Sequence, residues 1–328
     1  MSDSPYRRVT VVGGAGFIGS HLVRTLLERA GVEGVVVYDN FTSGRLWHLD
    51  LLMGDARLDV IEGEVHDRER LMASMTGATT VVHLASNPDI ARAMTDPTID
   101  FDQGTHLTHC VVEASRQSAV GLILYASGSG VYGDLGEFEA GEGHGPLEPV
   151  STYGASKLAG EALLSSYCHM FGLRARAFRF GNVVGPNQTH GVGFDFVRKL
   201  LSDPTRLEIL GDGTQSKSYV HVDDVLSAVL LAGERGVEPY AVFNVATGDY
   251  VTVNEIARLA AESLGLEPAD VELVYSGGDR GWKGDVPVVR MATDRIRALG
   301  WKNRYDSVEA LRHAIVSMLG DARAGRLW

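Results

Sequence analysis

Two textures of apolar residues alternate along the first half of the chain. Short runs rich in β-branched residues lie at 8–12, 34–38, 58–61, 80–84 and 121–125. Continuous apolar runs of this length predict strands buried on both faces. Between them the spacing changes: Phe17, Ile18, Leu22, Val23, Leu26 and Leu27 recur with a helical period over 17–29. A long helix is predicted over 151–171 and another strand over 174–180. Strand and helix in alternation predict an α/β fold, a doubly wound parallel sheet covered on both faces. After about residue 182 the texture shifts. Loops rich in Gly, Pro, Asn and His occupy 185–193, 211–218 and 276–287, between helices at 224–234, 253–264 and 307–319. Thr252 and Glu255 have capping-box spacing for the middle one. There is no internal repeat. The division is a first domain over 1–181, with returning segments at about 219–247, and a smaller region made of 182–218 and 248–328.

Composition narrows the function. The 328 residues are 45% hydrophobic, enough for more than one core. Lys and Arg total 30 against 42 Asp and Glu, a formal charge of −12, which argues against nucleic acid and membranes as partners. With two cysteines, Cys110 and Cys168, no disulfide framework is expected, and without C-x-x-C or H-E-x-x-H spacing no metal is expected. The start, Met-Ser-Asp-Ser-Pro, lacks the pattern of a signal peptide, and the apolar stretch 225–232 is too short to span a bilayer. A soluble, cytoplasmic protein is the expectation.

The chemistry starts at Gly13-Gly14-Ala15-Gly16-Phe17-Ile18-Gly19, between the first strand and first helix. Glycines there permit a tight turn, let backbone N–H groups approach a pyrophosphate, and let helix and strand pack closely, while the helix N-terminus favours the anion. Asp39 ends the second strand, 20 residues past the last glycine. A carboxylate there accepts from a ribose 2′-hydroxyl and repels a 2′-phosphate, which selects NAD over NADP, with Arg45 as the nearby cation that could soften the choice. The first domain is thus of Rossmann type. Tyr153-x-x-x-Lys157 is the second signal. Four residues apart on a helix, phenol and ammonium share a face, and the ammonium should lower the phenol pKa toward working pH so that it serves as a base.

Further motifs follow in order: His83-Leu-Ala-Ser86, Val131-Tyr-Gly133, Arg179-Phe-Gly-Asn182, Gly185-Pro186 and Tyr219-Val-His-Val-Asp-Asp224. Together with the glycine loop, Asp39-Asn40 and the Tyr–Lys pair, they make the chain similar to the extended short-chain dehydrogenase/reductases of the NAD-dependent epimerase/dehydratase kind. Within these it resembles the UDP-glucose 4-epimerase-like branch. The resemblance covers nearly the whole chain. It implies an isomerase in which Tyr153 takes the proton from a sugar hydroxyl, Lys157 holds the nicotinamide ribose and tunes Tyr153, and NAD takes the hydride and returns it on the other face of the keto-sugar. NAD contacts are implied at Gly13, Gly16, Phe17, Ile18, Gly19, Asp39, Asn40, Thr42, Ser43, Glu64, Val65, Leu84, Ala85, Ser86, Gln103, Tyr153 and Lys157. Contacts to a UDP-sugar are implied at Gly128, Asn182, Leu210, Lys217, Tyr219, Arg280 and Asp285. A homodimer paired through helices at 102–117 and 152–171 is also implied.

The chain departs from the family in two places. A Ser or Thr usually stands three residues before Val-Tyr-Gly; here it is Gly128, flanked by Ser127 and Ser129, either of which is a candidate catalytic hydroxyl. The usual arginine two residues before Tyr219 is Lys217, and the arginine of a later Arg-x-Gly-Asp motif is Trp282, with Asp285 kept and Arg280 two residues upstream. Related 4,6-dehydratases carry an Asp-Glu pair immediately before Val-Tyr-Gly, where this chain has Ser129 and Gly130. Three readings stand at this point: a nucleotide-sugar 4-epimerase on a UDP-hexose, a ketoreductase with net redox, and a cofactor-binding sensor with decayed catalysis. Of the 11 histidines, only His190, in a loop where the family binds substrate, is left open between a site role and a surface one.

Overall fold

The computed structural model describes residues 4–326. Seven strands form the central sheet: β1 (Arg8–Val12), β2 (Gly34–Asp39), β3 (Leu58–Glu62), β4 (Thr80–His83), β5 (Leu122–Gly128), β6 (Ala175–Phe180) and β7 (Tyr240–Val245). Their order is β7-β6-β5-β4-β1-β2-β3, and every pairing is parallel. Order reverses between β1 and β4, so a crevice opens at their C-terminal ends, where open α/β sheets bind ligands.

The buried runs sit on the sheet because helices cover both faces. α1 (Phe17–Leu27) and α6 (Val222–Arg235) lie on one face, and their Leu22, Leu26, Val225 and Val229 meet Val9, Val11, Val35 and Val37. On the other face α2 (Arg68–Ser74), α3 (Leu107–Gln117) and α4 (Thr152–Phe171) lie side by side. The segment expected as one helix over 102–117 is instead a π turn, Phe101–His106, running into α3. Gly104 lets this turn close on α4, since a Cβ there would sit 2.5 Å from Ser156 Oγ.

A second apolar core lies beyond the sheet. α5 (Val192–Ser202), α7 (Val253–Ser263) and α9 (Ser307–Arg323) enclose it with the paired strands Arg206–Ile209 and Glu272–Tyr275, while the short α8 (Asp294–Ala298) returns to the first core. The predicted Thr252–Glu255 capping box is formed in both directions, and Asp306 with Glu309 forms another. Among the described residues, no helix is long and apolar enough to cross a membrane.

Candidate active site

The glycine loop builds a cradle of bare backbone. Gly13 adopts φ +86°, a conformation costly for other residues, and its N–H donates to Tyr38 O at 2.8 Å. A Cβ at Gly13 would lie 2.7 Å from Ala85 N, and one at Gly19 would lie 2.3 Å from Gly13 O. The loop, the first turn of α1 and residues 84–86 therefore converge with no side chain between them. Gly16 caps α1 without a side-chain acceptor, so the first-turn N–H groups face outward. This is the chemistry a pyrophosphate requires, and the residues present fit NAD. Gly19→Ala should push the loop off α1 and weaken NAD binding by about tenfold or more, at the upper cost of overpacking. Titration of cofactor against intrinsic fluorescence reads this, and unchanged affinity would remove the cradle from the cofactor site.

Asp39 borders the cradle. Its Oδ2 accepts from Ala15 N and its Oδ1 from Phe41 N, both at 2.9 Å. Burial pushes its pKa up, and these N–H groups oppose the shift. Arg45 Nη1 donates to the carbonyls of Ser43 and Gly44 at 3.2 and 3.1 Å. Asn40 ties this edge to the next one, donating to the Glu64 carboxylate at 3.1 and 3.2 Å and accepting from Thr42 N. Val65 is buried in the sheet core, whereas Glu64 is exposed. Leu84 N and Ala85 N both donate to Val12 O. Gln103 is half-buried on the π turn.

Tyr153 and Lys157 lie on the first turns of α4, which Ser151 caps by accepting from Gly154 N at 3.0 Å. Lys157 Nζ donates to Ala126 O at 2.9 Å and sits 5.3 Å from the centre of the Tyr153 ring. Burial pushes the ammonium down to about 8, with Asp100 acting against the shift. The phenol departs from the sequence expectation. Burial pushes it up to about 12, while the Ser86 hydroxyl beside it pulls the other way. The Asp100 carboxylate adds to the upward shift. Asp100, which sequence reasoning missed, is a buried anchor: it accepts from Asn87 Nδ2 at 2.9 Å and from Thr152 Oγ1 at 2.6 Å, fixing the start of α4.

The end of β5 places the two serines differently. Ser127 Oγ donates to Glu161 Oε1 at 2.6 Å, and Arg179 grips the same carboxylate from Nε at 3.0 Å and Nη2 at 2.7 Å. Ser127, expected as a candidate catalytic hydroxyl, is thus committed to a buried network on the far side of the strand. Gly128 faces the other way, and a Cβ there would meet nothing within 4 Å. Ser129 is half-buried and lines a small cavity with Asn182, Lys217 and Ser218.

The residues implied for substrate fall into two groups. Lys217 Nζ pairs with Asp285 Oδ1 at 2.6 Å, and Arg280 Nη1 donates to Asp285 O at 2.8 Å while its Nη2 reaches Asp134 Oδ2 at 2.5 Å. This gathers Lys217, Arg280 and Asp285 at one edge of the crevice, next to the Val131–Gly133 turn. Tyr219, by contrast, is 4% exposed, packed in the second core with its phenol beside Asn182. It can position Asn182 but presents little surface of its own. Leu210 is exposed just past the strand Arg206–Ile209. His190 is exposed in its loop, and its carbonyl accepts from Gln188 Nε2.

Residues 9–246 match the NAD dependent epimerase/dehydratase family. The chain belongs to that family. Like other members, this epimerase/dehydratase-family protein has relatives with different reactions. It is 31% identical to the UDP-glucose 4-epimerase of Mycolicibacterium smegmatis, over 94% of this chain and 97% of that one. It is also 31% identical to the dTDP-glucose 4,6-dehydratase of Streptomyces griseus, over 90% and 94%. The crystal structure of Thermus thermophilus UDP-glucose 4-epimerase in complex with NAD superposes with a TM-score of 0.83 at 32% identity, covering 95% of this chain and 99% of that one.

Proposed function

We propose that the protein is a nucleotide-sugar 4-epimerase, with a UDP-hexose as substrate and NAD as its cofactor. The observation that carries this reading is the pairing of Tyr153 and Lys157 beside the glycine cradle with Ser129 and Gly130, not acids, ahead of Val131. Elimination of water needs a carboxylate pair to move the proton and the hydroxyl at the next carbons, and 4,6-dehydratases keep it at those two positions. Here they offer one hydroxyl and a bare backbone.

Bound NAD supplies a hydride acceptor that also returns the hydride, and a positive ring that favours phenolate nearby. Tyr153 Oη takes the proton of the sugar 4-hydroxyl as the carbinol becomes a ketone, and gives it back after the ketone has turned over. Lys157, held on Ala126 O, keeps its charge against the phenolate. Lys217 and Arg280 leave their carboxylate partners to meet the diphosphate, and Asn182 and Ser129 line the path between phosphate and sugar. A homodimer paired through α3 and α4, and a cytoplasmic location suited to the two free cysteines, belong to the same proposal; sedimentation at twice the chain mass tests the pairing.

The deciding experiment is proton NMR of the purified protein with a panel of nucleotide hexoses. A new 4-epimer of unchanged mass, without net NADH consumption, is expected. A product lighter by one water would make it a dehydratase, and stoichiometric oxidation of NADH by a keto-sugar would make it a reductase. Gly128→Ser then tests the empty position on β5. The added hydroxyl has room, and a donor aimed at the reacting oxygen is worth about 10²-fold or more where it has been removed elsewhere. A rise in kcat of about tenfold is expected; no gain would mean that another group already fills that role.

A further inference from the structure

A second cluster of reactive side chains lies away from the crevice. His66 is on the connection between β3 and α2, His106 closes the π turn, and Cys110 is on the first turn of α3. One ligand atom from each lies within 4.8 Å of the other two. His106 and Cys110 are four residues apart on helical backbone, so they share a face. His66 reaches them from 40 residues earlier in the chain, across the boundary with α2.

The geometry is close to that of a chelate. Cys110 Sγ is 3.8 Å from His66 Nδ1, and the imidazoles of His66 and His106 stack with centroids 4.7 Å apart. A tetrahedral zinc, with Zn–S about 2.3 Å and Zn–N about 2.0–2.1 Å, needs an S···N edge of about 3.5 Å. The Cys110–His66 edge is thus within a few tenths of an ångström of that value, and bringing in His106 takes the rotation of one exposed imidazole out of its stack. Both histidines are exposed and Cys110 is half-buried, so the ring motion costs little packing. The donor set of two imidazoles and one thiol, with no carboxylate, suits borderline-soft metals and is wrong for magnesium or calcium. Burial pushes the Cys110 thiol up, and the nearby Arg68 guanidinium opposes that shift. π turns are rare and often mark functional positions, and this one carries His106.

We propose that His66, His106 and Cys110 form a binding site for a divalent transition metal of the zinc class, with water in the fourth position. Bound there, the metal ties the β3–α2 connection, which carries Glu64 and Val65, to the start of α3.

The test uses the full chain, stripped with a chelator and titrated with zinc against a chromophoric competitor, and separately with cobalt, whose thiolate charge-transfer band reports sulfur ligation. One zinc per chain and a cobalt–thiolate band are expected. Cys110→Ser should abolish the band. Both Cys110→Ser and His106→Ala should weaken zinc by more than the roughly 10- to 100-fold that follows loss of an outer hydrogen-bonding partner of a metal ligand. His169→Ala, an exposed histidine on α4, should change nothing, and circular dichroism establishes that each variant is folded. Absence of saturable binding, or zinc affinity indifferent to Cys110→Ser, overturns the proposal.

Discussion

Tyr153→Phe should lower kcat about 10²- to 10⁴-fold, the range set by loss of a positioned acid–base group, and leave the fold and the affinity for NAD nearly unchanged. The change removes one oxygen from the first turn of α4 and keeps the ring that packs beside Lys157. Burial pushes the phenol up to about 12. Its use as a base depends on every positive charge within reach. The base form is the deprotonated one, so kcat/KM should rise with pH along the acid limb. Lys157→Met removes a cation that favours phenolate, so the same limb should move to higher pH. NMR turnover assays across pH, with fluorescence titration of NAD, read both effects. Turnover of the Phe variant at the parent rate would take Tyr153 out of the reaction.

Glu161→Ala should produce the largest loss of stability, about 3–5 kcal/mol, because it leaves a buried guanidinium without its partner. The side chains of Arg179 and Glu161 are 4% and 5% exposed, and the carboxylate also accepts from Ser127. Arg179 further lies over the Tyr132 ring, 4.7 Å from its centre, so the network joins α4, β5, β6 and the Val131–Gly133 turn. Urea unfolding is expected to show an earlier midpoint at unchanged slope. Replacing both partners, as in Glu161→Ala with Arg179→Met, should recover part of the loss, since no charge is then stranded. A loss below about 1 kcal/mol would place the pair among the weak ones typical of exposed surfaces.

Much of this arrangement was legible in the sequence. Gly13, Gly16 and Gly19 could be assigned to a cradle because the need for a missing Cβ follows from local geometry, as does the pairing of Tyr153 and Lys157 on one helical face. The choice between Ser127 and Ser129 was not: both flank Gly128, so strand alternation puts them on one face, and it is the turn Ser129–Tyr132 ending the strand that separates them. Glu161, four residues past Lys157, continues the same helical face, but sequence reasoning passed over it because its partner is not local. Arg179 arrives from β6, and no local pattern couples it to Glu161.

The spacing of apolar residues and glycines determined the alternating strands and helices and the phosphate cradle, because each depends on contacts between near neighbours in the chain. Three things were decided by packing. The phenol of Tyr153 rises because the whole surrounding protein excludes water from it, a sum over distant atoms that no motif encodes. Tyr219 is drawn into the second core, although its motif marks it for substrate, because α9 closes over its strand and Ser307 accepts from its N–H. His66 meets His106 and Cys110 because α2 packs beside α3 on one face of the sheet; the helical pair could be read from its spacing, and the third donor could not.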